Sequence, residues 1–367
     1  MRNLTLLLAA GLAAVSIGQA QQAPFERLSP DRLDVLAPSE RVRGSPGDMA
    51  IRESACRSFP SAGIRRRVVD IAVQEWGFFG FSVLDLTRVD PQPREPRRSR
   101  RRSPSLGAEE SARVAHSIAG YWAVTPDGGW ILDRQNREWS GPGGVAARWR
   151  YPWSAAFISW VMCEGGLGGS GRFERAVAHH VYIDQAIRAR DEAAPEAAYA
   201  AYDIGEAPVG PGDLLCTARR SAYRTIADRR NHIGDGVRTH CDVVVKVDEA
   251  GERIFAIGGN VRGSVRLKLL PAVREQGGDL RPRHQYVDRR TRTVFAHLKL
   301  RADPIEADAL SNTPTLKALA EQDDAFRRLE QRLARASATR DGADWGGRQR
   351  SSLASSGMSL SAGEPGS

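Results

Sequence analysis

The sequence predicts an α+β domain in which helices pack on an antiparallel β-sheet. Two observations carry this. Up to about residue 190, apolar side chains recur at three-four spacing, the period of a helix with one buried face. From about residue 212 to 300 they gather instead into short β-branched runs separated by turn residues, the pattern of strands. Helical patterns followed by strand patterns, rather than alternating with them, fit a layered α+β arrangement.

The elements follow in chain order. Ile64, Val68, Ile71, Ala72, Glu75 and Trp76 set a stripe that predicts a helix from Gly63 to Phe79. A second helix is expected from Ala108 to about Trp122. Residues 123 to 150 mix Gly, Pro and Trp without a clear period and read as a structured loop over the helix that follows. That helix starts at Pro152-Trp153-Ser154 and runs to about residue 164, ending at Gly165-Gly166. Another spans about Glu174 to Arg190 and carries His179, His180 and Tyr182. Strands are expected at about 212–217, 241–247, 253–258, 264–270 and 293–300, with Val243–Val247 apolar and β-branched as a central strand requires. Asp248-Glu249-Ala250-Gly251 makes a hairpin turn, and 218–239 a long polar surface loop. Beyond residue 302, Leu316, Leu319, Phe326, Leu329 and Leu333 suggest an amphipathic helix before a Gly/Ser-rich end expected to be disordered.

Residues 1–20 join Arg2, an apolar run from Leu4 to about Ile17 and the small-residue end Gly18-Gln19-Ala20, the pattern of a cleaved secretory signal. The run is shorter than the roughly 20 apolar residues that a membrane span needs. Export to the periplasm or medium, with a chain beginning near Gln21 and no stable membrane span, is therefore expected. Residues 21–54 read as an extended lead-in, 55–302 as the domain and 303–367 as the helix and tail.

Net charge is +9 and comes almost wholly from Arg, since Lys occurs only at Lys246, Lys268, Lys299 and Lys317. Such a surface attracts anionic polymers of the cell envelope, although Arg bias in composition gives the same count. The segment 88–106 is rich in Pro and Arg and has no apolar face. In an exported chain it reads as a solvated loop, and without stacking aromatics it does not read as a nucleic-acid site. Cys56, Cys163, Cys216 and Cys241 allow three pairings, of which Cys216–Cys241, on two expected strands able to be neighbours, is the one to test; buried free thiols are the expectation. No Cys/His cluster has zinc spacing, and the reading calls for neither metal nor cofactor.

Five motifs stand in order: PWSAAFISWVM at 152–162, His-His-x-Tyr-Ile at 179–183, PGDLLC with Arg219, HCDVVV from His240, and IGGNVRGSV around Asn260. Together they resemble the bacterial family called domain of unknown function 2272 (DUF2272), over about residues 55–302. That pattern is similar to the NlpC-type and CHAP-type branches of the papain-like cell-wall hydrolases. The resemblance implies a papain-like fold, with a nucleophile at a helix start, a base on a strand and an orienting polar group on the next. Position by position, Ser154 takes the nucleophile's place, His240 the base's and Asn260 the orienting place. The superfamily normally has Cys where this chain has Ser154.

The substitution matters because a hydroxyl, unlike a thiol, must lose its proton during attack, and Ser–His sites usually add a carboxylate. Asn260 carries no charge; Asp242 does, on the same strand face as His240. Two functions follow. The first is an exported domain that binds peptidoglycan or another anionic envelope polymer through the retired site. The alternative is an active hydrolase of peptidoglycan amide bonds using Ser154, His240 and Asn260. A plain helix cap at Ser154 is the structural alternative. Trp153, His179, His180 and Asp242 are the candidate substrate-binding residues, each also readable as packing. Cys163 lies nine residues after Ser154 on the opposite helix face and Cys241 points away from His240, so neither replaces the nucleophile.

Overall fold

The computed structural model describes residues 24–87, 107–218, 222–274, 278–283 and 293–337. The expected signal, the Arg-rich segment 88–106 and the Gly/Ser-rich end lie outside the described residues.

In chain order a small hairpin, β1 (Val42–Arg43) and β2 (Ala50–Ile51), precedes α1 (Ile64–Phe78) and β3 (Val83–Asp85). Helices α2 (Ala108–Ala123), α3 (Gly128–Trp139), α4 (Ser154–Glu164) and α5 (His179–Asp191) follow, then β4 (Tyr199–Tyr202) and β5 (Leu214–Ala218). A short α6 (Ile226–Arg230) leads to β6 (Thr239–Asp248), β7 (Arg253–Val261), β8 (Ser264–Val273), β9 (Arg281–Pro282) and β10 (Thr293–Leu300). Two helices, α7 (Pro314–Ala320) and α8 (Asp323–Ser337), close the described chain. The main sheet runs β3-β8-β7-β6-β5-β10-β4, with β9 beside β8. Every pair in it is antiparallel except the edge strand β3, which is parallel to β8. The protein is thus α+β, with helices packed on a mostly antiparallel sheet. No helix among the described residues is long and apolar enough to cross a membrane.

The segment 123–150, read as a loop, contains α3. Its buried Ile131, Leu132, Gln135 and Trp139 form a narrow helical stripe between charged residues, too sparse to stand out from the surrounding Gly and Trp. The loop 218–239 likewise holds α6, started by a capping box between Thr225 and Asp228. The lead-in packs inward: Phe25, Leu33 and Val35 join the central core with α1, α2 and α4.

α4 is the centre of the molecule. Every residue from Ala155 to Glu164 is buried, as an all-round apolar helix must be, and it lies between α1 and α2 on one side and β6 and β7 on the other. Its C-terminal end is tied down by Arg41, whose guanidinium pairs with buried Glu164 and donates to Ala55 O at 3.0 Å. Both expected free-thiol pairs are in fact bridged, as Cys56–Cys163 and Cys216–Cys241. Burial and disulfide formation go together here, because the paired strands and the docked lead-in set the Cα atoms 4.1 and 5.0 Å apart, within or just below bonding range. Behind the sheet, Asp213 does more than hold its turn. Its carboxylate accepts from Gly210 N (2.9 Å), Leu300 N (3.0 Å), Arg65 (2.7 Å) and His297 (2.8 Å), tying α1 to β10.

One buried carboxyl on α1 is less well served. Burial pushes Asp70 up to about 7 against the pull of Arg66 and Arg67, and its Oδ1 has no partner among the described residues. A folded-state value above the unfolded one means stability is lost as pH rises from about 4 through 7, because the unfolded chain ionises first. Asp70→Asn is therefore expected to stabilise by on the order of 3 kcal/mol at pH 8 and by almost nothing at pH 4. Denaturant unfolding of both proteins at the two pH values checks this; an equal gain at both is the contrary result.

Candidate functional site

The chain enters α4 through Tyr151, Pro152 and Trp153. The Trp153 ring is buried and stacked between Phe79 and Tyr121, each at 5.8 Å between centroids. Tyr121 in turn donates to Glu75, which also pairs with Arg27 (2.9 Å), and Arg27 reaches Ser117 (3.0 Å). Burial and the adjacent Glu75 push the Tyr121 phenol well above its usual range, so it remains a donor. Trp153 is thus a core anchor that fixes where the helix begins.

Ser154 is the first residue of α4, half-buried, and no side chain caps that helix. Its hydroxyl is not spent on a cap: Ser154 Oγ lies 2.7 Å from His179 Nε2. The first-turn N–H groups of α4 have no partner within the helix, and the positive end of the helix dipole lies there as well.

His179 opens α5 and is buried. Its position follows from how the sheet ends. Cys216 and Cys241 face each other across β5 and β6 at a Cα separation of 4.1 Å, the spacing of a pair that exchanges no backbone bonds. The Cys241 N–H therefore points away from β5. Pairing of β6 with β7 begins only at Val243–Ile257, so at Cys241 no strand partner receives that N–H. His179 Nδ1 does, at 3.2 Å, and Tyr182 OH is bonded to the same nitrogen. A backbone N–H can only donate, so Nδ1 is the acceptor, and in the neutral ring the proton sits on Nε2. His179 consequently donates to Ser154 Oγ. It holds the hydroxyl as an acceptor and is not placed to take its proton.

His240 and Asp242 lie two apart on β6. Their side chains, on one strand face, meet directly: His240 Nε2 is 2.9 Å from Asp242 Oδ1, and Lys268 from β8 donates to Asp242 Oδ2 at 2.7 Å. Burial alone would raise the Asp242 carboxyl, but His240 and Lys268 outweigh it and hold the group well below the ordinary carboxylate range. Asp242 is therefore ionised and bonded to His240 Nε2, so in the neutral form of that ring the proton sits on Nε2 and Nδ1 is the basic nitrogen. β7 leaves room for this only because it carries glycine. A Cβ on Gly258 would sit 1.9 Å from Asp242 Oδ1, and one on Gly259 would sit 2.5 Å from Phe157 Cβ, where α4 seats. The His179 and His240 rings meet edge to face with centroids 5.1 Å apart, so Ser154, His179, His240, Asp242 and Lys268 form one continuous cluster.

The remaining candidates are placed differently. Asn260, at the end of β7 with φ 56°, is half-buried and borders a cavity of about 400 Å³ together with Trp149, Trp153 and Arg262. The residue fixing Nε2 of His240 is Asp242. His180 is half-buried; desolvation, then the nearby Arg229, push its imidazole down. Arg229 is itself held by Asp184 at 2.7 Å. Two members of the cluster escaped the sequence reading. Tyr182 follows His179 by three residues on one helix face, and Lys268 interrupts the apolar run Leu267-Lys268-Leu269 in a chain that otherwise uses Arg.

Compared with known families, residues 109–300 match the family described as "Uncharacterized protein conserved in bacteria (DUF2272)". Neither the curated proteins nor the solved structures contain a match.

Proposed function

The chain belongs to the DUF2272 family, and on that premise we propose that it is an exported, papain-like hydrolase of peptidoglycan amide bonds. Ser154 is the nucleophile, His240 the general base and Asp242 the group that orients the base, in the place first given to Asn260. The observation that carries this reading is the buried, ionised Asp242 bonded to His240 Nε2. It supplies the charge that a Ser–His pair requires and that Asn260 lacks. A helix start facing antiparallel strands, with the base on one of them, supports the papain-like assignment. Two disulfides and the apolar leader support export, since such bridges persist in oxidising compartments.

In the proposed reaction Ser154 Oγ bonds to the carbonyl carbon while its proton passes to His240 Nδ1. The carbonyl oxygen becomes an oxyanion facing the free N–H groups of the first turn of α4. Collapse breaks the C–N bond, the leaving amine takes the proton from His240, and water then releases the acyl group by the same route. His179 donates to Ser154 Oγ and so turns the hydroxyl hydrogen away from itself.

A binding-only domain is the second reading. The Ser154–His179 bond favours it, because it occupies a lone pair of the nucleophile in the resting site. Incubating the purified protein with peptidoglycan and assaying newly freed amino groups separates the two. Hydrolysis predicts turnover that falls at least about 10³-fold in both Ser154→Ala and His240→Ala, with folding changed by about 1 kcal/mol in the former. No release by wild type, with peptidoglycan still bound by Ser154→Ala, establishes binding alone. Cleavage gained only by Ser154→Cys marks a retired site.

A further inference from the structure

The cavity of about 400 Å³ beside the start of α4 has a distinct chemistry. Val114, Ile118 and Trp153 form its buried wall, and exposed Arg148, Arg150 and Arg262 also line it. No Asp or Glu is among its described lining residues. Arg150 is paired outward with Glu138 at 2.6 Å. Arg262 is placed at a cost in backbone preference. With Gly263 it forms the two-residue turn between β7 and β8, closed by the Val261–Ser264 pair, and the two have φ of 55° and 81°. Positive φ at both central positions is the type I′ hairpin turn, which favours Asn-Gly. An Arg in the left-handed region at such a turn is unusual, and strain of this kind gathers at ligand sites. Neighbouring Arg266 has its guanidinium pushed down by burial and by the charge of Arg262.

We propose that this cavity is the subsite for a carboxylate-bearing part of the substrate, adjacent to the amide that Ser154 attacks. The proposal rests on the hydrolytic reading of the Ser154 cluster and adds a substrate class to it: an N-acylated acidic peptide. The Arg262 guanidinium offers a planar fork that matches a carboxylate, and Trp149 and Tyr151 offer flat surfaces to the aliphatic chain beside it. On the other side of Tyr151 and Pro152 a second cavity, lined by Trp122, Trp130, Ile131 and Val177 together with the acidic Asp127, disfavours a carboxylate and takes the uncharged side. A substrate spanning both is thereby oriented, its anionic group on the Asn260 side.

The test uses N-acetyl-L-alanyl-γ-D-glutamyl-L-lysinamide, with the glutamyl α-carboxylate either free or converted to carboxamide. Binding is measured by calorimetry on the full chain carrying Ser154→Ala, with and without Arg262→Asn. The free carboxylate is expected to bind at least tenfold more tightly than the carboxamide, and Arg262→Asn to erase that ratio. Asn is the preferred residue for this turn, so an unchanged or higher melting temperature separates loss of recognition from loss of fold. Equal binding of the two peptides, binding of neither, or a ratio that survives Arg262→Asn overturns the proposal. Carboxylate selection without turnover by wild type sinks the hydrolytic reading and leaves the subsite standing. Turnover without selection does the reverse.

Discussion

Asp242→Asn is expected to lower turnover by about 10³- to 10⁴-fold, the scale on which a Ser–His site fails when its carboxylate is made neutral. The amide can present an N–H to His240 Nε2, which then accepts; the proton moves to Nδ1, and the lone pair that should take the Ser154 proton is gone. The same change leaves Lys268 facing a neutral group with its side chain mostly buried, so stability should fall by about 3 kcal/mol. Adding Lys268→Met removes that stranded charge. The double variant is expected to regain most of the stability and none of the turnover, which separates the two effects. Wild type carries a related acid sensitivity. Because the folded-state Asp242 value lies below the unfolded one, its contribution is full above about pH 4 and is lost as pH falls toward the folded value. Activity in Asp242→Asn within tenfold of wild type would remove Asp242 from the mechanism.

The two disulfides should fail in different ways. Cys56–Cys163 spans 107 residues and Cys216–Cys241 spans 25. On chain entropy alone, removing the first by paired Cys→Ala changes should cost about 5 kcal/mol, and removing the second about 3.5. Activity is expected to follow the opposite order. The long bridge fastens the lead-in to the far end of α4, whereas Cys241 adjoins His240 and donates its N–H to His179. Loosening β5 from β6 there disturbs both histidines. Chemical denaturation and peptidoglycan release, measured on each double variant, read the two quantities separately; equal losses of activity contradict the contrast.

The large features of this fold were legible because they rest on local rules. α1, α2 and α4 follow from three-four spacing, and β6 to β8 from β-branched runs with a polar turn. β4 was not legible, since Tyr-Ala-Ala-Tyr is only four residues long, sets strand-poor Ala between its tyrosines, and pairs with β10 far along the chain. The parallel edge strand β3 is three residues long and is recruited by β8. At the site, alternation puts His240 and Asp242 on one face but does not by itself bring them into contact. Side chains two apart on a strand lean toward each other where the adjacent strand carries glycine, and Gly258 provides that space. The Ser154–His179 bond had no local signature. It depends on β6 and β7 parting beyond Val243, which only the assembled sheet decides.

The docking of the lead-in has a practical reach. The family match begins at residue 109, inside α2, and omits everything before it. Yet Glu75 and Arg27, which hold Tyr121 under Trp153, lie in that omitted stretch, as do α1, β3 and the Cys56 half of a bridge. The stretch shared across the family and the stretch that folds thus have different edges. A fragment cut to residues 109–300 would expose the side of α4 that α1 covers and leave Cys163 unmatched, an invitation to aggregate and to cross-link between molecules. Cloning boundaries for this family are better drawn from the Arg27–Glu75 contact outward than from the limits of sequence similarity.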